Sequence, residues 1–152
     1  MITVDGARLL DDLRTLATFG KVGTGVNRLS FSPEDRAARE WLCGRMREAG
    51  LEAEIDAVGN VYGRAPGARR TVLLGSHIDS VPNGGWLDGA LGVIYGLEIA
   101  RRWIEVRPDG GAGVDAISFQ DEEGTYLACV GSRSFSGTVS DTEVARARGP
   151  GG

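Results

Sequence analysis

An α/β fold, a sheet with helices laid against it, is what the 152-residue sequence predicts, and three observations carry that prediction. The continuous apolar run Thr71-Val72-Leu73-Leu74-Gly75 reads as a central strand buried on both faces. A loop rich in Gly, Pro and Asn follows it, and then a helical pattern runs from about Asp88 to Val106. A second apolar run, Val114 to Phe119, leads into the acidic loop Gln120-Asp121-Glu122-Glu123-Gly124. A helix between the two strands permits them to run as parallel neighbours, and if they do, both following loops reach one sheet edge.

The other elements follow from local chemistry. Residues 5 to 19 read as a first helix, with Leu9, Leu10, Leu13 and Leu16 at helical spacing. The stretch Gly20-Lys21-Val22-Gly23-Thr24-Gly25 breaks it. These glycines follow a helix and match neither phosphate-loop spacing, so a flexible or substrate-facing loop is expected rather than a nucleotide site. Ser32-Pro33-Glu34-Asp35 opens a second helix, with Ser32 as N-cap, Pro33 in the first turn and two acids facing the helix dipole. Its apolar stripe is Ala38, Trp41, Leu42, Met46 and Ala49, and Gly50 stands where a left-handed residue ends a helix. Leu51 to Asp56 and Asn60 to Ala65 read as two strands of a hairpin across Ala57-Val58-Gly59. Pro66 to Arg70 reads as a surface loop, and Pro108-Asp109-Gly110-Gly111 as the stop after the Asp88–Val106 helix. From Ser140 to Gly152 the pattern is lost, and disorder is expected.

Composition excludes several classes of function. The hydrophobic fraction of 41% and charged fraction of 25% are ordinary for a globular protein. A net charge of −4, with scattered arginines, gives no electrostatic basis for binding nucleic acid or an anionic membrane. Cys43 and Cys129 form no C-x-x-C pair and are expected as two reduced thiols. The first six residues lack a signal-peptide pattern and no apolar run approaches a membrane span, so a cytoplasmic protein is expected.

The chemistry concentrates in the two loops. His77 is the only histidine of the chain, with Asp79 and Asp88 after it and Glu122 and Glu123 at the end of the next buried strand. Each has an ordinary alternative: a hydrogen-bonded structural histidine, a helix N-cap at Asp88, a solvated acidic turn at Glu122-Glu123. Taken singly the ordinary reading wins in each case; together, at the ends of two parallel strands, they favour a metal site. Nucleophilic sites fit less well. Ser76 and His77 are adjacent, there is no G-x-S-x-G elbow, and Cys129 would have only His77 as its base. Two adjacent glutamates are also a poor match to carboxylates facing across a glycosidic bond.

From about Asn27 to Gly137 the sequence resembles the metal-dependent amidohydrolases of the hydantoinase/carbamoylase type. These comprise N-carbamoyl-L-amino-acid hydrolases, allantoate amidohydrolases and β-ureidopropionases, relatives of aminoacylases and dimetal exopeptidases. The resemblance rests on Arg28-Leu29-Ser30-Phe31-Ser32, Gly59-Asn60-Val61-Tyr62-Gly63-Arg64, Gly75-Ser76-His77-Ile78-Asp79-Ser80-Val81-Pro82-Asn83-Gly84-Gly85, Leu87-Asp88-Gly89-Ala90-Leu91-Gly92-Val93, Phe119-Gln120-Asp121-Glu122-Glu123-Gly124 and Gly131-Ser132-Arg133. It implies a three-layer α/β/α domain of the zinc-exopeptidase type and two divalent metal ions (zinc, manganese, cobalt or nickel). His77 would bind one ion, Glu123 the other, and Asp88 would bridge them. Glu122 would be the general base, and Asp79 would hydrogen-bond His77. A small-molecule substrate and a homodimer are implied for the full-length enzyme.

Family members run to more than twice this length, take further ligands from downstream histidines, and carry a separate lid and dimerisation domain. The resemblance therefore implies that residues 1–139 are the N-terminal part of a catalytic domain, with 140–152 a disordered tail at a truncated end. Weak or no activity is expected of the chain alone. The rivals are an aminoacylase or exopeptidase of the same superfamily and a non-catalytic degenerate domain.

Overall fold

The computed structural model describes residues 3–106 and 111–149. The first helix, α1 (Gly6–Leu16), is capped by Asp5, whose carboxylate accepts the amides of Ala7 and Arg8. Where a loop was expected, a miniature antiparallel hairpin forms from β1 (Lys21–Val22) and β2 (Gly25–Val26). Helix α2 (Pro33–Glu48) begins as its sequence dictates, with the Ser32 hydroxyl accepting the Asp35 amide, and Gly50 follows it with φ +88°.

Strands β3 (Glu52–Ile55) and β4 (Val61–Arg64) make the expected hairpin. Then come β5 (Ala68–His77), α3 (Ala90–Val106), β6 (Gly111–Phe119), α4 (Val130–Phe135) and α5 (Asp141–Arg146). The sheet order is β3-β4-β6-β5, and β5 runs parallel to β6 with His77 opposite Phe119. The α3 crossover therefore brings the two acidic loops to the same edge, as the sequence predicts.

One hydrophobic cluster gathers Leu9, Leu13 and Leu16 of α1, Leu42 and Met46 of α2, Ile94 and Leu97 of α3, and Val61, Val114 and Ala116 of the sheet. These three helices thus share one face of the sheet, and each fully buried Leu, Ile or Met contributes about 2 kcal/mol. On the other face, Phe135 of α4 meets Tyr62 and Phe119 edge-on at centroid distances of 5.9 and 5.7 Å. The three layers of the expected fold are present in part.

Between the helices lies a network of charges. Asp12 of α1 accepts from Arg45 of α2 and Arg101 of α3. Glu98 of α3 accepts from Arg8, from Arg101 and from the Asp5 amide.

Three expectations are corrected. The apolar run of β5 is not buried on both faces: Val72 is 60% and Leu73 37% exposed. Among the described residues β5 pairs with β6 alone and forms an edge of the sheet. The loop expected through Arg70 already belongs to β5 from Ala68, with an irregular register between Ala68 and Arg70. The expected disorder from Ser140 begins instead with α5. Ser140 and Glu143 form a reciprocal capping box, and Glu143 also pairs with Arg133 at the end of α4. The expected helix stop at residues 108–111 falls, for 108–110, outside the described residues, as do 150–152.

Candidate metal centre

His77 is the last residue of β5, and its ring is almost fully buried. Its Nδ1 donates to the backbone carbonyl of Asp79 at 3.0 Å, a proton placement assigned from this contact. That leaves the lone pair on Nε2, and a carbonyl holding the other ring nitrogen is usual where a histidine binds a metal. Nε2 faces Glu122 Oε2 at 3.5 Å and Asp88 Oδ1 at 4.0 Å. His77, Asp88 and Glu123 each offer one ligand atom, all within 4.8 Å of one another. Bonds of about 2.1 Å to a shared ion put ligand atoms roughly 3.4–4.2 Å apart. The His77–Asp88 separation of 4.0 Å already lies in that range, and the whole donor set comes close to it, so it fits a divalent cation.

The electrostatics agree. Burial holds the Glu123 carboxyl above the usual carboxylate range; Asp88, Glu122 and Asp79 push the same way and His77 opposes them. A cation at their focus would relieve this crowding. Burial pulls the His77 imidazole down, but its bonds to Asp79 outweigh it and raise the group overall. Burial likewise pushes Asp79 up, and is overcome by His77, the Glu123 amide and the Ser30 hydroxyl, which hold the carboxyl below its usual range.

Asp79 hydrogen-bonds His77, as expected, but through its backbone carbonyl; the carboxylate stands 3.6 Å from Nδ1, an ion-pair distance. That carboxylate accepts the amides of Glu123 at 3.2 Å and Glu122 at 3.4 Å, and the Ser30 hydroxyl at 3.1 Å. Asp79 thus links the histidine loop to the glutamate loop.

Four supporting residues were not singled out in the sequence. Asp121 is fully buried, and its carboxylate accepts the amides of Thr125, Tyr126 and Leu127 at 2.7, 2.9 and 2.7 Å. It folds the chain after Glu122-Glu123 into a closed turn. Arg28, 1% exposed, donates to the carbonyls of Ile78, Leu16 and Phe19. Its burial lowers the guanidinium to about 10, although Asp35 and Asp79 oppose this. Ser80 exchanges hydrogen bonds with Arg28 on the same stretch. Gly89 has φ +61°, and a Cβ there would lie 2.4 Å from His77 Nε2. Arg28 and Gly89 sit inside the segments carrying the resemblance, but periodicity and spacing give them no role. Asp121 reads from sequence only as one more acid in a loop.

Asp121→Ala should leave three part-buried loop amides without their acceptor. An expected loss on the order of 3 kcal/mol in urea unfolding, with weaker metal binding in calorimetric titration, checks the turn's importance. Unchanged metal affinity would show that the turn does not position Glu122 and Glu123.

No helix among the described residues is long and apolar enough to cross a membrane. Cys43 and Cys129 are both free.

Known proteins share this sequence and architecture. Residues 58–148 match Peptidase family M28. The N-carbamoyl-L-amino acid amidohydrolase of Geobacillus stearothermophilus is 41% identical over 142 residues, covering 90% of this chain and 35% of that protein. The allantoate amidohydrolase of Escherichia coli is 34% identical over 151 residues, 95% of this chain and 36% of that protein. The crystal structure of a hydantoinase/carbamoylase family amidase from Burkholderia phymatum superposes with a TM-score of 0.94 at 53% identity, over 98% of this chain and 37% of that one. The chain spans about a third of the length of these relatives. The parallel strand pair, the His77/Asp88/Glu123 cluster at its edge and the match over more than half the chain agree: the chain belongs to peptidase family M28.

Proposed function

We propose that the chain carries the first part of the catalytic centre of a divalent-metal hydrolase. Its bond would be a non-peptide C–N bond, in an N-carbamoyl-L-amino acid or an allantoate-like ureido acid. The observation that carries this reading is the convergence of His77 Nε2, Asp88 and Glu123 within 4.8 Å, with Glu122 Oε2 3.5 Å from the same nitrogen. The names of the relatives support the ureido substrate class.

In this reading His77, Asp88 and Glu123 would hold the divalent ions (zinc, manganese, cobalt or nickel), together with further ligands. When bound, the ions supply Lewis acidity and lower the pKa of water to about 7. Glu122 is exposed and aimed at the same focus, so it takes a proton from the attacking water and returns it to the departing nitrogen. Asp79 keeps the imidazole oriented and holds the amides of both glutamates. Addition of water to the carbamoyl carbon releases the amino acid, ammonia and carbon dioxide. A cytoplasmic, homodimeric whole enzyme belongs to the same proposal.

The test has two parts. Metal titration of the chain should show binding that His77→Ala, Asp88→Asn and Glu123→Gln each weaken by at least about 10-fold. A substrate panel should show slow ammonia release from N-carbamoyl amino acids, abolished by Glu122→Gln. Turnover at full enzymatic rates would overturn the claim that further ligands are needed. Cleavage of N-acyl amino acids or dipeptides without ammonia release would favour the aminoacylase or exopeptidase reading, which the family's name as a peptidase supports. Absence of metal binding would favour a non-catalytic domain.

A further inference from the structure

Away from the metal centre, a cavity of about 420 Å³ lies between the end of α1 and the β1–β2 hairpin. Arg14, Ala17 and Thr18 form one side, Lys21 and Gly23 to Gly25 another, and Trp86 closes it. The volume is that of a small-ligand site. Its lining is mostly apolar, yet it holds two cations and no acid, in a chain of net charge −4. Lys21 is the only lysine in the sequence. Among the described residues neither Arg14 nor Lys21 has an ion-pair or side-chain hydrogen-bond partner. Most other arginines of the helices are paired, as Arg8, Arg39, Arg45, Arg101 and Arg102 show.

A helix C-terminus would ordinarily repel an anion. Here the carbonyls of Leu16 and Phe19 are both occupied by the buried guanidinium of Arg28, which counters that effect. Trp86 brings an aromatic side chain to the lining, and Ala17 and the hairpin glycines add apolar surface without bulk.

We infer that this cavity binds a small organic anion with a planar apolar body, an aryl-substituted carboxylate being the type. Arg14 and Lys21 meet the carboxylate, and Trp86 meets the ring. The site is coupled to the metal loop by construction. Val26 and Gly84 exchange both backbone hydrogen bonds at 3.0 Å, and Trp86 follows two residues later in the turn that leads to Asp88. This site does not depend on the hydrolase reading.

The experiment uses the 152-residue chain with excess EDTA, so that no carboxylate is held by a metal at His77. Proton–nitrogen NMR follows the Trp86 indole signal, assigned through Trp86→Phe, during titration with 3-phenylpropanoate, 3-phenylpropanamide and inorganic phosphate. The expected result is a saturable shift with 3-phenylpropanoate. Binding should be at least 10-fold weaker for the neutral amide and for phosphate, and at least 10-fold weaker in an Arg14→Gln/Lys21→Gln variant. Both side chains are exposed, so this variant should keep its fold, checked by circular dichroism. Equal affinity for the amide, equal affinity for phosphate, an unchanged double variant, or a shift seen only when metal is added would each overturn the proposal.

Discussion

Gly89→Ala is expected to lower metal affinity on the order of 100-fold, more than loss of any single supporting hydrogen bond. The residue occupies φ +61°, where a side chain costs about 1–2 kcal/mol. The larger effect is steric. The added methyl would lie 2.4 Å from His77 Nε2 and 2.5 Å from the His77 carbonyl. It would fill the space directly before the nitrogen that must face the ion. Relief requires the ring to turn, which breaks the bond from Nδ1 to the Asp79 carbonyl, or Asp88 to move with the start of α3. Calorimetric titration with zinc or manganese measures the loss, and the His77 ring protons in NMR report the ring's displacement. Wild-type affinity in Gly89→Ala would mean that Nε2 is not the ligand atom.

The second large effect lies far from the metal centre. Glu98 is fully buried and receives Arg8, Arg101 and the Asp5 amide. Burial would raise its carboxyl, but the bonds from Arg8, Asp5 and Arg101 prevail and hold it below the usual range. Glu98→Gln keeps the shape and removes the charge, leaving Arg101 with Asp12 as its remaining carboxylate. Breaking a buried pair in this way costs about 3–5 kcal/mol. The sign of the pH effect follows from the lowered folded value. Above the unfolded carboxylate value of about 4.3 the stabilisation is complete, and it is lost as pH falls through the folded value. Urea unfolding should therefore show wild type well above Glu98→Gln at neutral pH, with the gap closing only in strong acid. A gap independent of pH down to acid unfolding would assign the loss to packing instead of charge.

Much of the architecture was legible because it rests on local signals. Ser32-Pro33 fixed the start of α2, Gly50 its end, and the Val58-Gly59 turn its hairpin. The Asp88–Val106 pattern permitted a crossover, and the structure shows the parallel β5–β6 pair it allows. Burial was less legible. Val72 and Leu73 have the composition of interior residues, but exposure depends on which strands lie alongside, and no local pattern encodes that. The helix after Ser140 is hard to see for the opposite reason: a capping box is local, but a six-residue helix has too few positions to show periodicity. At the candidate centre, His77, Asp88 and Glu123 could be picked out because ligand chemistry marks residue types, and the structure gathers their ligand atoms within 4.8 Å of one another. The supports were hidden because they act through backbone atoms. Arg28 grips three carbonyls, Asp121 takes three amides, and the Asp79 bond to His77 runs through a carbonyl. Backbone atoms carry no sequence identity, so spacing alone does not reveal them.

The grip of Arg28 has a bearing on how the molecule comes together. One guanidinium joins the carbonyl of Ile78, just past His77, to carbonyls of Leu16 and Phe19 some sixty residues earlier. The histidine loop therefore takes its shape only after distant parts of the chain have met, and loop-closure entropy makes such contacts late events in folding. An ion captured by His77 also stabilises everything that Arg28 ties to it, by mass action on the folded state. The N-terminal helix, which touches no ligand, shares in that gain.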